Sequence, residues 1–81
     1  NPTELVDREL FVPNPIQTSY IDISPNLNPN FIQIYNAQGK RINQLPGTFK
    51  RLKIPTVSGI YFLRFVFDQT IVNKRIVVKA P

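Results

Sequence analysis

Catalysis needs side chains of particular types at particular spacings, and the 81 residues of this chain supply few of them. There is no Cys and no His. The first absence removes disulfide scaffolds and thiolate metal sites. The second removes the usual general base near neutral pH and the commonest metal ligand. A hydrolytic triad is thereby excluded, apart from rarer Ser–Lys arrangements. Ser19, Ser24 and Ser58 lack a glycine elbow and read as turn and strand residues. Paired carboxylates for sugar hydrolysis would have to come from Asp22, Asp68 or the cluster Glu4, Asp7 and Glu9. Asp68 belongs to a predicted hairpin loop, and the cluster lacks the spacing of a calcium loop. Gly39, Gly47 and Gly59 are the only glycines, so no phosphate loop exists. The residues point away from an enzyme and away from any cofactor.

Charge points toward a partner instead. Ten basic residues stand against five acidic ones, a net of +5. Up to Gly39 the chain holds Arg8 against Glu4, Asp7, Glu9 and Asp22. Beyond it, Lys40, Arg41, Lys50, Arg51, Lys53, Arg64, Lys74, Arg75 and Lys79 face Asp68 alone. Such asymmetry suits a polyanionic partner or, more plainly, a solvated basic face. The basic residues interleave with Tyr35, Phe49, Tyr61, Phe62 and Phe65, as in barrels that bind single-stranded nucleic acid. Tyr61 and Phe65, however, share a face with Leu63 and Phe67 and read as core, so no nucleic acid is expected.

These residues must be carried by strands. Eight prolines and mostly β-branched or aromatic apolar runs argue against helix. The pattern predicts seven short strands: Leu5–Val12, Ser19–Ile23, Phe31–Tyr35, Lys40–Gln44, Thr48–Ile54, Ile60–Phe67 and Thr70–Lys79. Pro13-Asn14-Pro15 stops the first. Asn36-Ala37-Gln38-Gly39 reverses the chain, with Gly39 supplying a positive φ. Ile42, Leu52 and Ile54 are expected to face inward. Asp68-Gln69 is short enough for a hairpin loop. In the last strand Ile76 and Val78 oppose Arg75, Val77 and Lys79, and the uneven parity of Val72 and Lys74 suggests a bulge. Short strands at this spacing predict an all-β antiparallel sandwich, with a small barrel as the alternative. No apolar run reaches the length of a membrane-spanning helix. The opening Asn1-Pro2 and the lack of a signal peptide suggest part of a longer protein, with residues 1–4 as linker remnant and 5–81 as a single domain.

Four pieces of the chain together resemble a known family. They are Val12-Pro13-Asn14-Pro15; Ile32-Gln33-Ile34-Tyr35-Asn36-Ala37-Gln38-Gly39-Lys40-Arg41-Ile42; Gly59-Ile60-Tyr61-Phe62-Leu63-Arg64-Phe65; and Asn73-Lys74-Arg75-Ile76-Val77-Val78-Lys79. In this order and spacing they resemble the type A carboxy-terminal sorting domain of the type IX secretion system of Bacteroidota, over roughly residues 10–79. The resemblance implies a seven-stranded immunoglobulin-like β-sandwich that serves as a signal rather than a catalyst. It implies a cargo protein fused at the amino terminus, passing through the periplasm to the cell surface or beyond. It implies the outer-membrane translocon with its shuttle proteins, and a gingipain-like surface sortase, as partners. The recognition candidates it carries onto this chain are Pro13, Asn14, Pro15, Gly39, Lys40, Arg41, Gly59, Lys74, Arg75 and Lys79. Ala80-Pro81, after the terminal lysine, is a small departure from the family pattern.

A different reading is an accessory sandwich that binds a glycan or a neighbouring domain of a secreted enzyme. If the last strand forms an edge, its free backbone groups would also permit docking by strand addition or self-association.

Overall fold

The computed structural model describes residues 1–80, and in them the chain forms one helix and six strands. These are α1 (Pro2–Glu9), β1 (Tyr20–Asp22), β2 (Phe31–Asn36), β3 (Arg41–Pro46), β4 (Arg51–Lys53), β5 (Gly59–Val66) and β6 (Ile71–Val78). Two antiparallel sheets result: a four-stranded one in the order β3-β2-β5-β6, and a two-stranded one of β1 and β4. They enclose one apolar core. Ile32, Ile34, Leu63, Phe65, Val72 and Ile76 contribute from the larger sheet, and Ile21 and Leu52 from the smaller. Period-two alternation accounts for this: along β5, Tyr61, Leu63 and Phe65 are buried, while Ile60 and Phe62, on the opposite parity, are exposed.

The expected strand at Leu5–Val12 does not form: Leu5–Glu9 belong to α1, and Leu10–Val12 follow it outside any strand. Asn1 caps the helix, its Oδ1 accepting a hydrogen bond from the Thr3 N–H at 2.9 Å. Pro2 occupies the first turn, where its missing N–H costs nothing. Glu4 lies in the first turn and Arg8 in the last, each complementing the helix dipole. Val6 and Leu10, four residues apart, are both buried in the core. The apolar pairs Leu5-Val6 and Leu10-Phe11 imitate a strand when counted by composition. The cap, the proline and the i, i+4 spacing carry the helix signal. The seven expected strands are therefore six.

Three smaller expectations also shift. β6 has no bulge: its register with β5 is continuous from Ile71 opposite Val66 to Val78 opposite Gly59. Lys74 keeps the inward parity because its ammonium reaches Asp7 of α1 at 3.1 Å. Ile42 is 44% exposed rather than inward, because the β2–β3 register shifts there, from Ile34 opposite Asn43 to Tyr35 opposite Arg41. The strand expected over Thr48–Ile54 contracts to Arg51–Lys53, with Phe49 left exposed. Leu52 and Ile54 do face the core, and Asp68-Gln69 does form the hairpin loop, closed by the Phe67 N–H donating to Thr70 O at 2.8 Å.

The end of the fold bearing that hairpin is tied by Lys50. Its Nζ donates to Leu27 O at 2.8 Å, Asn28 Oδ1 at 3.2 Å and Gly47 O at 3.3 Å. Gly47 is needed here for space. Its N–H donates to Asn30 O at 3.1 Å, and a Cβ at this position would collide with the Pro29 carbonyl. Gly47→Ala is expected to destabilise the domain by about 2 kcal/mol, lowering the melting temperature by roughly 10 °C. An unchanged thermal unfolding curve would show that the two segments are not held in this approach.

Candidate functional site

Antiparallel register brings distant parts of the sequence to one end of the fold. β2 finishes at Asn36 opposite Tyr61, and β5 begins at Gly59 opposite Val78 of β6. The β2–β3 turn, the loop before β5 and the carboxy-terminal residues are thus neighbours.

The turn is built by Asn36. Its Oδ1 accepts from the Gln38 N–H at 3.0 Å and the Lys40 N–H at 2.9 Å. Its backbone N–H donates to Lys40 O at 2.9 Å, and its carbonyl accepts from the Gly39 N–H at 3.0 Å. Gly39 adopts φ +84°, the left-handed region that a β-branched residue strongly disfavours. Lys40 projects into solvent, and Arg41 folds back along β3 to donate from Nη1 to Gln44 Oε1 at 2.9 Å.

The loop before β5 is pinned by Tyr61, whose hydroxyl donates to Val57 O at 2.7 Å. Ser58 Oγ in that loop accepts from the Ala80 N–H at 2.8 Å, tying down the chain just after Lys79. A groove of about 590 Å³ separates loop and turn, with Ile42, Val57 and Ile60 on its walls. Ile42, Val57 and Ile60 are all exposed there.

Pro13-Asn14-Pro15 leads into the same end. The Asn14–Pro15 bond is cis. Ile16 then forms a parallel bridge to Val78, its N–H donating to Val77 O at 2.7 Å and its carbonyl accepting from the Lys79 N–H at 2.9 Å. Gly39, Lys40, Arg41, Gly59, Lys79 and the Pro13–Pro15 segment therefore gather at this end.

Lys74 and Arg75 do not act as a pair. Strand periodicity sends Lys74 inward to Asp7, whereas Arg75 lies on the outer face opposite Phe62. Among the described residues no cluster of Asp or Glu has a metal-holding arrangement, and no buried side-chain polar atom lacks a partner. The site offers exposed cations, apolar side chains and backbone shape, which are means of recognition.

The β3 edge of the larger sheet is guarded, and the β6 edge is covered at one end. On β3, the register turns the backbone of Gln44 and Pro46 outward. Pro46 has no N–H to offer, and the Gln44 N–H is taken by Asn43 Oδ1 at 2.8 Å. On β6, Ile16 covers the carboxy-terminal end, and α1 packs beside the strand through Asp7 and Lys74. Only Ile71, Asn73 and Arg75 turn backbone groups outward there, beside the helix. The last strand is thus an edge, covered by Ile16 at its carboxy-terminal end and open at Ile71, Asn73 and Arg75. The residues that blunt the β3 edge, Asn43 and Pro46, belong to none of the motifs singled out in the sequence; a proline inside a strand is the one signal that marks an edge.

Gly39→Val is expected to lower stability by about 1–2 kcal/mol through backbone strain alone, since the Cβ would meet open space. Lys40→Ala should stay within about 0.5 kcal/mol of the parent. Thermal melts of the two variants check this, and equal melting temperatures would reject the turn as the structural element.

Comparison with known families agrees with the geometry. The chain matches the family model described as the secretion system C-terminal sorting domain over residues 11–79, which spans everything from Phe11 to Lys79 and leaves α1 outside. No curated protein sequence matches the chain. The matched span covers both sheets and all the residues gathered at the turn end, and so the chain belongs to the type IX secretion C-terminal sorting domain family.

Proposed function

We propose that this chain is the non-catalytic address of a secreted protein. It directs a cargo fused at its amino terminus through the periplasm and across the outer membrane by the type IX translocon. A surface sortase then removes it from the cargo. The observation that carries this reading is the family match over residues 11–79, spanning a folded unit whose exposed features suit recognition. We read the two sheets as an immunoglobulin-like sandwich with its first strand replaced by α1. The sorting unit is residues 5–81 together with the start of that helix.

A physical argument supports a folded address. A translocon that accepts unrelated cargoes must read something portable, and a small rigid domain presents the same surface whatever precedes it. Pro13, Asn14, Pro15, Gly39 and Gly59 serve the reading by shaping backbone. Lys40, Arg41, Arg75 and Lys79 serve it by offering charge. Lys74 serves it indirectly, through α1.

The test is transfer of the signal. Residues 1–81 are fused to the carboxyl end of a periplasm-targeted fluorescent protein in a Bacteroidota host. Fluorescence outside the cell is expected in the parent strain and not in a translocon-deficient strain; a stable, folded fusion retained in the periplasm of both would overturn the reading. Removing the last strand is not an equivalent test. Val72, Ile76 and Val78 are core residues, and a chain ending at Thr70 is expected to lose cooperative unfolding altogether. A sharp melt from that truncation would show that β6 is dispensable for the fold.

A further inference from the structure

The outer face of the four-stranded sheet is not an ordinary solvated face. Antiparallel sheets with one face in water alternate apolar inward with polar outward. Here the outward positions hold Phe62, 36% exposed, Ile60, 40% exposed, and Ile71, 52% exposed. The register sets one row straight across all four strands: Arg41, Tyr35, Phe62 and Arg75. Arg64 sits one row away, its guanidinium 5.2 Å from the centre of the Tyr35 ring.

The neighbouring polar groups hold this arrangement still. Tyr35 OH donates to Gln33 Oε1 at 3.1 Å, and Gln33 Nε2 donates to Gln44 Oε1 at 3.0 Å. Gln44 Oε1 also accepts from Arg41, and Arg64 Nε donates to Asn73 Oδ1 at 3.4 Å. Arg75 makes no hydrogen bond or salt bridge among the described residues. The face therefore offers three arginines around an aromatic and aliphatic centre, with the Gln33 amide already paired through both its oxygen and its nitrogen.

We infer that this face is a docking surface for a protein partner with an apolar centre and an acidic rim. The inference deepens the sorting reading and rests on it. Charge decides against a second copy as the occupant. None of the five acidic residues lies on this face, so stacking two copies would bring arginine against arginine. Side-chain type decides against an acidic glycan. Sugars stack on open ring faces, but Arg64 covers Tyr35, and the aliphatic Ile60 lies next to Phe62 along β5. With β3 blunted and β6 covered at one end, the four-stranded face is a broader route to contact than strand addition.

The test uses the fluorescent fusion described above. Arg41→Glu with Arg75→Glu reverses two rim charges, and Phe62→Ser removes the central ring. Arg51→Glu with Lys53→Glu makes the same charge change on the smaller sheet. Export is expected to fall about tenfold or more in the first double variant and in Phe62→Ser, at melting temperatures close to the parent, with the β4 double variant within about twofold of the parent. Export of the first double variant at the parental level, or an equal loss in both double variants, overturns the docking face while leaving the sorting reading intact. Failure of the unaltered fusion to leave the cell overturns both. A glycan outcome is tested with hyaluronan. Binding that is lost in Arg41→Glu with Arg75→Glu, while export is unaffected, overturns the protein-partner assignment.

Discussion

The register of β5 between β2 and β6 is the constraint on which this small domain depends. β5 lies in the interior of the larger sheet, hydrogen-bonded along its length on both sides. Its buried Leu63 and Phe65 are fully enclosed. A slip of one residue would drive Arg64 into the core and expose those side chains, so the alternation itself enforces the pairing. With no cysteine to form a disulfide and no metal ligand set among the described residues, burial of this alternating set is what holds the fold. The same register brings the β2–β3 turn, the start of β5 and the end of β6 to one end of the molecule.

Two consequences follow for how the domain meets other molecules. Its sheet edges are partly closed: Pro46 and the Asn43 side chain disarm β3, and Ile16 covers the carboxy-terminal end of β6. Unpaired strands invite indiscriminate pairing, a hazard for a chain that must travel without sticking to others. What remains accessible is chosen by side chain rather than by backbone. The larger sheet shows arginines and an apolar centre outward, and the turn end shows Lys40 and Lys79. Binding through such surfaces is selective in charge and shape, as a shared address requires.

α1 adds a link between what precedes the family span and the domain itself. It lies before Phe11, yet Val6 belongs to the core and Asp7 meets Lys74 across most of the chain's length. Lys74 looks anomalous within its strand until the helix is in place. Its inward position then reads as a satisfied contact, and the charge is withdrawn from the surface that Arg75 and Lys79 share.

Local chemistry was enough to reveal the β-rich architecture, most of the strands and the turn. Alternation in Ile60–Phe67 marks an exposed and a buried side because strand geometry allows nothing else, and Asn36 with Gly39 encodes its turn within five residues. The family pattern is legible for the same reason: it consists of short motifs whose structure is largely local. Where the reading failed, the deciding partner lay far along the chain. The parity of Lys74 looks irregular within its own strand and is explained only by Asp7, 67 positions earlier. Ile42 has the right side chain for burial, and a register shift against β2 leaves it at the rim. Which cations stand together, which edge is closed and which sheet face remains bare are relations between residues tens of positions apart. Tertiary packing decided those, because position on a sheet follows from pairing register, and pairing register follows from which apolar sides can share one core.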